Sequence, residues 1–232
     1  MQILEQELLF EKDLFLFLNG LHSPFWDNVM YTYSYMFTWV PFYLCFFFVF
    51  IYKKNWKEIV MVFVAVGLVI LFCDQLSSGF AKPFFQRLRP SRHPDFESIV
   101  HIVHNYRGGR YGFFSGHAAN SFGFATLVAL MFRNKTLSIT MFIFAIITAY
   151  SRIYLGVHFV IDIVVGIIVG ILVGLLVYKI YLWGRKKWMK IPSRKLRKTI
   201  YSERESYFLV GIYVVMLTII LVFSNQIVRF IT

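Results

Sequence analysis

Read for hydrophobic and polar positions alone, the chain is a succession of long apolar runs separated by short polar ones. A hydrocarbon core of about 30 Å needs roughly 20 apolar residues of helix. Six runs approach that length: 28–52, 57–81, 115–132, 136–154, 158–182 and 206–230. Residues 3–20, "ILEQELLFEKDLFLFLNG", differ in mixing acids with leucines and phenylalanines. That pattern predicts an amphipathic helix lying on the membrane surface and ending near Gly20. The expected fold is all-α and integral to a membrane, with six transmembrane helices and an N-terminal interfacial helix. No stretch looks like a separate soluble module, so one domain is expected over 1–232, with five spans in 28–182 and the sixth at 206–230.

Composition agrees with this pattern. The chain is 58% hydrophobic and 20% aromatic over 232 residues, and its mean hydropathy is +0.63. A soluble domain of this size needs far less apolar surface. Cys45 and Cys73 each lie inside an apolar run, which argues against a disulfide framework. The first residues carry Glu5, Glu7 and Glu11 without a basic n-region, unlike a signal peptide.

The formal net charge of +12 would suggest nucleic acid in a soluble protein. Here the cations flank spans and sort by side, so no nucleic-acid partner is expected. Lys53, Lys54 and Lys57 follow the first span, and Arg133 and Lys135 lie between the third and fourth. Arg185, Lys186, Lys187, Lys190, Arg194, Lys195, Arg197 and Lys198 follow the fifth. All fall on one side, which the positive-inside rule makes cytoplasmic. Both termini, the 82–115 loop and the short 152–158 loop then lie outside. That outer loop holds Lys82, Arg87, Arg89, Arg92, Arg107 and Arg110 against Asp95 and Glu97, an excess that calls for an anion.

Three polar motifs interrupt the apolar pattern, each at the outer end of a span: "KPFFQRLRP" (82–90), "FSGH" (114–117) and "SRIYLGVHFVID" (151–162). Lys82, Arg89 and Arg152 are fixed cations suited to clamping phosphate oxygens. Ser115 and Gly116 fall at a predicted helix N-terminus, where backbone N–H groups and the helix dipole favour an anion. His158 and Asp162, four apart, share a helix face. A carboxylate on one ring nitrogen fixes the tautomer and leaves the other free to attack. His117 begins another helix and is positioned to protonate a leaving group.

This pattern resembles the type 2 phosphatidic acid phosphatase superfamily, which also contains vanadium haloperoxidases and bacterial acid phosphatases. Its signature is K-x6-RP, then PSGH, then SR-x5-H-x3-D. Lys82, Arg89 and Pro90 match the first part, Ser115, Gly116 and His117 the second, and Ser151, Arg152, His158 and Asp162 the third. The resemblance implies that His158 forms a phosphohistidine, Asp162 orients it and His117 is the general acid. It implies phosphate binding by Lys82, Arg89, Ser115, Gly116 and Arg152, with no metal or other cofactor. Phe114 stands where the family usually has proline, which puts turn rigidity rather than catalysis in question.

Other features are assigned to structure. His101 and His104 form an H-x-x-H without a carboxylate or cysteine at ligand spacing, so they and His93 are expected in a loop at the headgroups or solvent. Asp74 is expected as the buried partner of a polar group. Gly166, Gly170 and Gly174 predict close helix packing. The run "YTYSYMFTWVPFY" is expected to be mostly lipid-facing or interfacial.

The function expected is a metal-independent lipid phosphate phosphatase of a bacterial inner membrane, its site on the outer face. Its partners are the bilayer and a membrane lipid phosphate. Undecaprenyl pyrophosphate, phosphatidylglycerol phosphate, phosphatidic acid and lipid A 1-phosphate all fit, and the sequence does not separate them. A phosphotransferase would use the same phosphohistidine. A transporter would place its charges near the midplane and show an internal repeat; here the charges cluster at helix ends. A catalytically inactive relative would lack the intact His117, His158 and Asp162. Oligomeric state leaves no sequence signature.

Overall fold

The computed structural model describes residues 2–231, with side chains described from Glu11 onward. No β-strand occurs among them, only an isolated bridge between Leu88 and Tyr111.

Helix α1 (Gln2–Gly20) ends where the sequence predicts. Along its described part, Glu11, Phe15 and Asn19 are buried while Leu14 and Phe17 are exposed. Spacing by four puts the buried three on one face. That face therefore docks on the protein with its polar residues inward. Asn19 Nδ2 donates to Ile153 O (3.1 Å) and Tyr154 O (3.0 Å), satisfying carbonyls at a helix end, and its Oδ1 accepts from His101 N (2.8 Å).

The first apolar run is not one straight helix. α2 (Pro24–Ser34) gives way to a 3₁₀ turn (Met36–Trp39) and then α3 (Val40–Ile51), with a 69° bend between them. Pro41 opens α3, where it cannot donate to the preceding turn. The aromatic run divides accordingly: Tyr33, Trp39 and Phe42 enter the core, whereas Met36, Phe37 and Tyr43 stay exposed. Burial contradicts the expected lipid-facing or interfacial placement for the first group.

Helix α4 (Trp56–Asp74) continues through a π-helical segment (Gln75–Ala81) into α5 (Lys82–Phe85), four residues beyond the predicted end. α6 (Gly116–Phe132), α7 (Lys135–Tyr154), α8 (Val160–Lys187) and α9 (Glu203–Ile231) complete the bundle. Among the described residues, four helical stretches are long and apolar enough to cross a membrane: Trp56–Phe85, Lys135–Tyr154, Val160–Lys187 and Glu203–Ile231. The bent pair Pro24–Ser34 and Met36–Ile51 makes five if it counts as one span. α6, with 17 residues, falls just short of a full crossing.

The most extensive helix contact joins α6 to α8. A Cβ on Gly170 would lie 2.3 Å from Ala119 O, one on Gly166 2.7 Å from Ser115 O, and one on Gly174 2.8 Å from Gly123 O. The glycine stripe thus brings two backbones into direct contact. Both cysteines are free.

The basic loops meet at one end of the bundle. Lys54 Nζ reaches Glu205 Oε1 (2.7 Å) and Ile200 O (3.1 Å), and Arg133 Nη1 reaches Arg197 O (3.0 Å). Buried Arg185 pairs with Glu58 Oε2 (3.4 Å) and donates to Leu196 O (2.7 Å), tying down the loop after α8. The 82–115 and 155–159 segments lie at the other end.

Candidate active site

The three motifs come together at that second end. Asp162 stands in the first turn of α8, and its Oδ2 accepts from Phe159 N (3.0 Å) and lies 3.3 Å from His158 Nδ1. His158 precedes the helix rather than sitting on it, which corrects the shared-helix-face expectation. The pairing arises because an acid in the first turn reaches back over the helix entrance, as in a capping box. The ring and the carboxylate are both buried.

His158 Nε2 lies 3.1 Å from Arg89 Nη1, which also donates to Val157 O (2.9 Å). A neutral imidazole fits these contacts, with Nδ1–H toward Asp162 and the Nε2 lone pair toward the cation. Arg152 donates to Ser34 Oγ and to Tyr106 OH (3.0 Å). Lys82 Nζ donates to Ser78 Oγ (3.1 Å), whose hydroxyl in turn donates to Asp74 Oδ1 (3.2 Å). Asp74 is therefore exposed and linked to Lys82 through Ser78, not the buried partner expected.

Among the described residues, Lys82, Arg89 and Arg152 have no carboxylate within salt-bridge distance. The buried Nε atoms of Arg89 and Arg152 have no hydrogen-bond partner. Burial and the nearby Arg152 push the Arg89 guanidinium down to about 10. Burial alone would raise the Tyr106 phenol, but the Arg152 cation brings it below its ordinary value. The concentrated positive charge is uncompensated, as an anion site requires.

Ser115 caps α6, its Oγ accepting from Ala118 N (3.4 Å), and its own N–H is committed to Asp162 O (3.0 Å). Among the described residues, the first-turn N–H groups of Gly116 and His117 are left without a partner. Gly116 lies beside Lys82: a Cβ there would be 3.9 Å from Nζ. His117 is exposed, and among the described residues none hydrogen-bonds to its ring. A cavity of about 420 Å³ opens alongside, lined by Ser78, Lys82, Gln86, Arg89, Arg110 and Tyr111 among others.

The sequence reading missed several residues. Arg87, buried, donates to Asp162 Oδ1 (2.6 Å) and pairs with Glu11, whose Oε2 accepts from Ile161 N (2.8 Å). One cation thereby neutralises the acid that orients His158 and pins α1 to the start of α8. Arg87 was visible only as one more cation of the outer loop. Ser77 Oγ donates to Phe114 O (2.8 Å), steadying the turn where proline is replaced. Gly112 passes so close that a Cβ would lie 3.0 Å from Asp162 Oδ2 and 3.7 Å from His158 Nδ1.

His93 packs near Phe96 and Phe159, whereas His22, His101 and His104 make contacts of their own. His104 Nε2 pairs with Asn28 Oδ1 (2.9 Å) and His101 Nε2 with Asp27 (3.2 Å). His22, Asp27 and His101 gather within 4.8 Å. The two rings stack 3.7 Å apart at 4°, so their in-plane lone pairs run side by side and do not converge as metal ligands must.

Comparison with known proteins bears on this geometry. The chain is 48% identical over 186 residues to a lipid A 4'-phosphatase of Porphyromonas gingivalis, covering 80% of this chain and 79% of that one. It is 41% identical over 144 residues to a lipid A 4'-phosphatase of Bacteroides thetaiotaomicron, covering 62% and 64%. The crystal structure of Aquifex aeolicus LpxE superposes with a TM-score of 0.59 at 28% identity, covering 73% of this chain and 95% of that one. A transmembrane PAP2-type phosphatidylglycerolphosphate phosphatase from Bacillus subtilis shares the fold, with a TM-score of 0.54 at 23% identity, covering 78% and 88%. With its long apolar helices, the chain is an integral membrane protein. Residues 65–186, which hold all three motifs, match the PAP2 superfamily, and the chain belongs to that family.

Proposed function

We propose that this protein is a metal-independent lipid phosphate phosphatase that works through a phosphohistidine on His158. The observation that carries the reading is the cluster of Lys82, Arg89 and Arg152 without carboxylate partners, one of them in contact with the imidazole that Asp162 holds. In the first step His158 Nε2 attacks phosphorus and the bond from phosphorus to the lipid oxygen breaks. His117 gives its proton to the departing oxygen. The cations and the N–H groups of Gly116 and His117 take up the charge that grows on the phosphoryl oxygens. Water, deprotonated by His117, then attacks the phosphohistidine, releasing inorganic phosphate and restoring both histidines.

The substrate we infer is a phosphate monoester on a saccharolipid, with the 4'-phosphate of lipid A first among candidates, since two relatives carry that activity in their names. The headgroup enters from the outer face of a bacterial inner membrane while the acyl chains remain in the bilayer. We read six spans, counting α6 and the bent pair, and a single domain. α1 lies at the interface, consistent with the outward Leu14 and Phe17.

Phosphate release from a panel of purified lipids tests this reading: lipid A, phosphatidic acid, phosphatidylglycerol phosphate and undecaprenyl pyrophosphate. Lipid A should give the highest kcat/KM, with its 4'-phosphate removed. Preference for a glycerophospholipid would replace the proposed substrate, and no release from any member would contradict the enzyme reading.

A further inference from the structure

At the end of the bundle remote from His158, a cavity of about 660 Å³ opens between the α6–α7 turn and α8. Four cations line it, Arg133, Lys135, Lys179 and Arg197, together with Leu130 and Leu175. Lys179 is roughly 29 Å along α8 from its first residue at 1.5 Å per residue, close to the thickness of a hydrocarbon core. The cavity therefore faces the opposite leaflet from the catalytic cluster.

We propose that this cavity binds the headgroup of an anionic phospholipid of that leaflet, as a site without chemistry. Charge complementarity identifies the occupant: among the described residues, none of the four cations has a carboxylate within salt-bridge distance, and no acid or histidine lines the cavity. Arg133 spends one donor on Arg197 O, which fixes the turn and the following loop as one wall. Leu175 is exposed at the depth of acyl chains, one turn above Lys179, so the cavity pairs a cationic end with an apolar one along the helix. Cations sorted only by the positive-inside rule need no such cavity, whereas basic pockets between helices suit acidic headgroups. The site depends on the bundle spanning a membrane and not on the chemistry at His158.

The test titrates the purified full-length protein with phosphatidylglycerol or phosphatidylcholine in mixed micelles and counts bound lipid by native mass spectrometry. Phosphatidylglycerol should bind preferentially. Lys135→Gln with Lys179→Gln should weaken it about 30-fold, taking about fivefold per cation. Both side chains are exposed, so the variant should fold. Lys186→Gln with Lys187→Gln, equally exposed but outside the cavity, should change binding less than about threefold. Inorganic phosphate should not displace the lipid. Equal losses in the two double variants, no preference for phosphatidylglycerol, or displacement by phosphate would each overturn the proposal.

Discussion

Gly170→Ala tests how far the catalytic geometry depends on the contact between α6 and α8. The new methyl would sit 2.3 Å from Ala119 O, whereas ordinary contacts begin at 3.4 Å. Backbone does not yield as a side-chain tip does, so the helices must part by about 1 Å. Overpacking of this kind costs about 1–3 kcal/mol, partly offset by the roughly 1 kcal/mol that alanine gains over glycine in a helix. Net stability should therefore fall by no more than about 2 kcal/mol. Activity should fall much further. His117 lies in the first turn of α6 and Asp162, which holds His158, in the first turn of α8, so parting the helices moves the proposed acid relative to the proposed nucleophile. Misplacement by 1 Å costs on the order of 10²-fold in rate. The assay pairs thermal unfolding in detergent with phosphate release. Gly67→Ala and Gly211→Ala are the controls, because a Cβ at either meets nothing within 4 Å. Activity of Gly170→Ala within about threefold of wild type, or an equal loss in Gly211→Ala, would refute the coupling.

Arg87→Met should strip the buried Glu11 and Asp162 of their shared cation; breaking such a pair costs about 3–5 kcal/mol, visible as a large fall in Tm that Arg87→Lys partly restores. His117→Ala should lose about 10²–10⁴-fold on a lipid phosphate monoester, and far less on p-nitrophenyl phosphate, whose leaving group needs no proton; equal losses on both would assign His117 to binding or structure. Vanadate should inhibit, and hydrolysis should persist in excess chelator. Arg89→Gln should weaken vanadate binding, because it removes the cation that contacts His158 Nε2. An unchanged vanadate affinity in Arg89→Gln would remove Arg89 from the anion site.

Much of the candidate site was legible in the sequence because its three motifs fall at the same end of their spans and combine two histidines, an acid and cations. Lys82, Arg89, Arg152, His117, His158 and Asp162 gather without any of them being displaced to another part of the fold. The glycine stripe was readable because three glycines four apart leave one face without side chains. Other features depend on tertiary contacts that no local pattern encodes. Glu11 and Arg87 are 76 residues apart, and one acid among several in an amphipathic helix looks like surface until its partner is known. Hydropathy marks apolar length but not continuity, so the 69° bend in the first run was invisible, although Pro41 marks where α3 begins. Asp74 looked buried because it follows an apolar run; Cys73 faces the core, but Leu71, Leu76 and the acid itself are exposed.

The most direct measurement of the central claim is a rapid acid-free quench of the enzyme with lipid substrate labelled at phosphorus, followed by localisation of the label. The account predicts a phosphoenzyme formed before phosphate release, stable to alkali and labile to acid, carried on His158 and absent from His158→Ala. Phosphate release in a single turnover with no label on the protein, or label retained in His158→Ala, would contradict it.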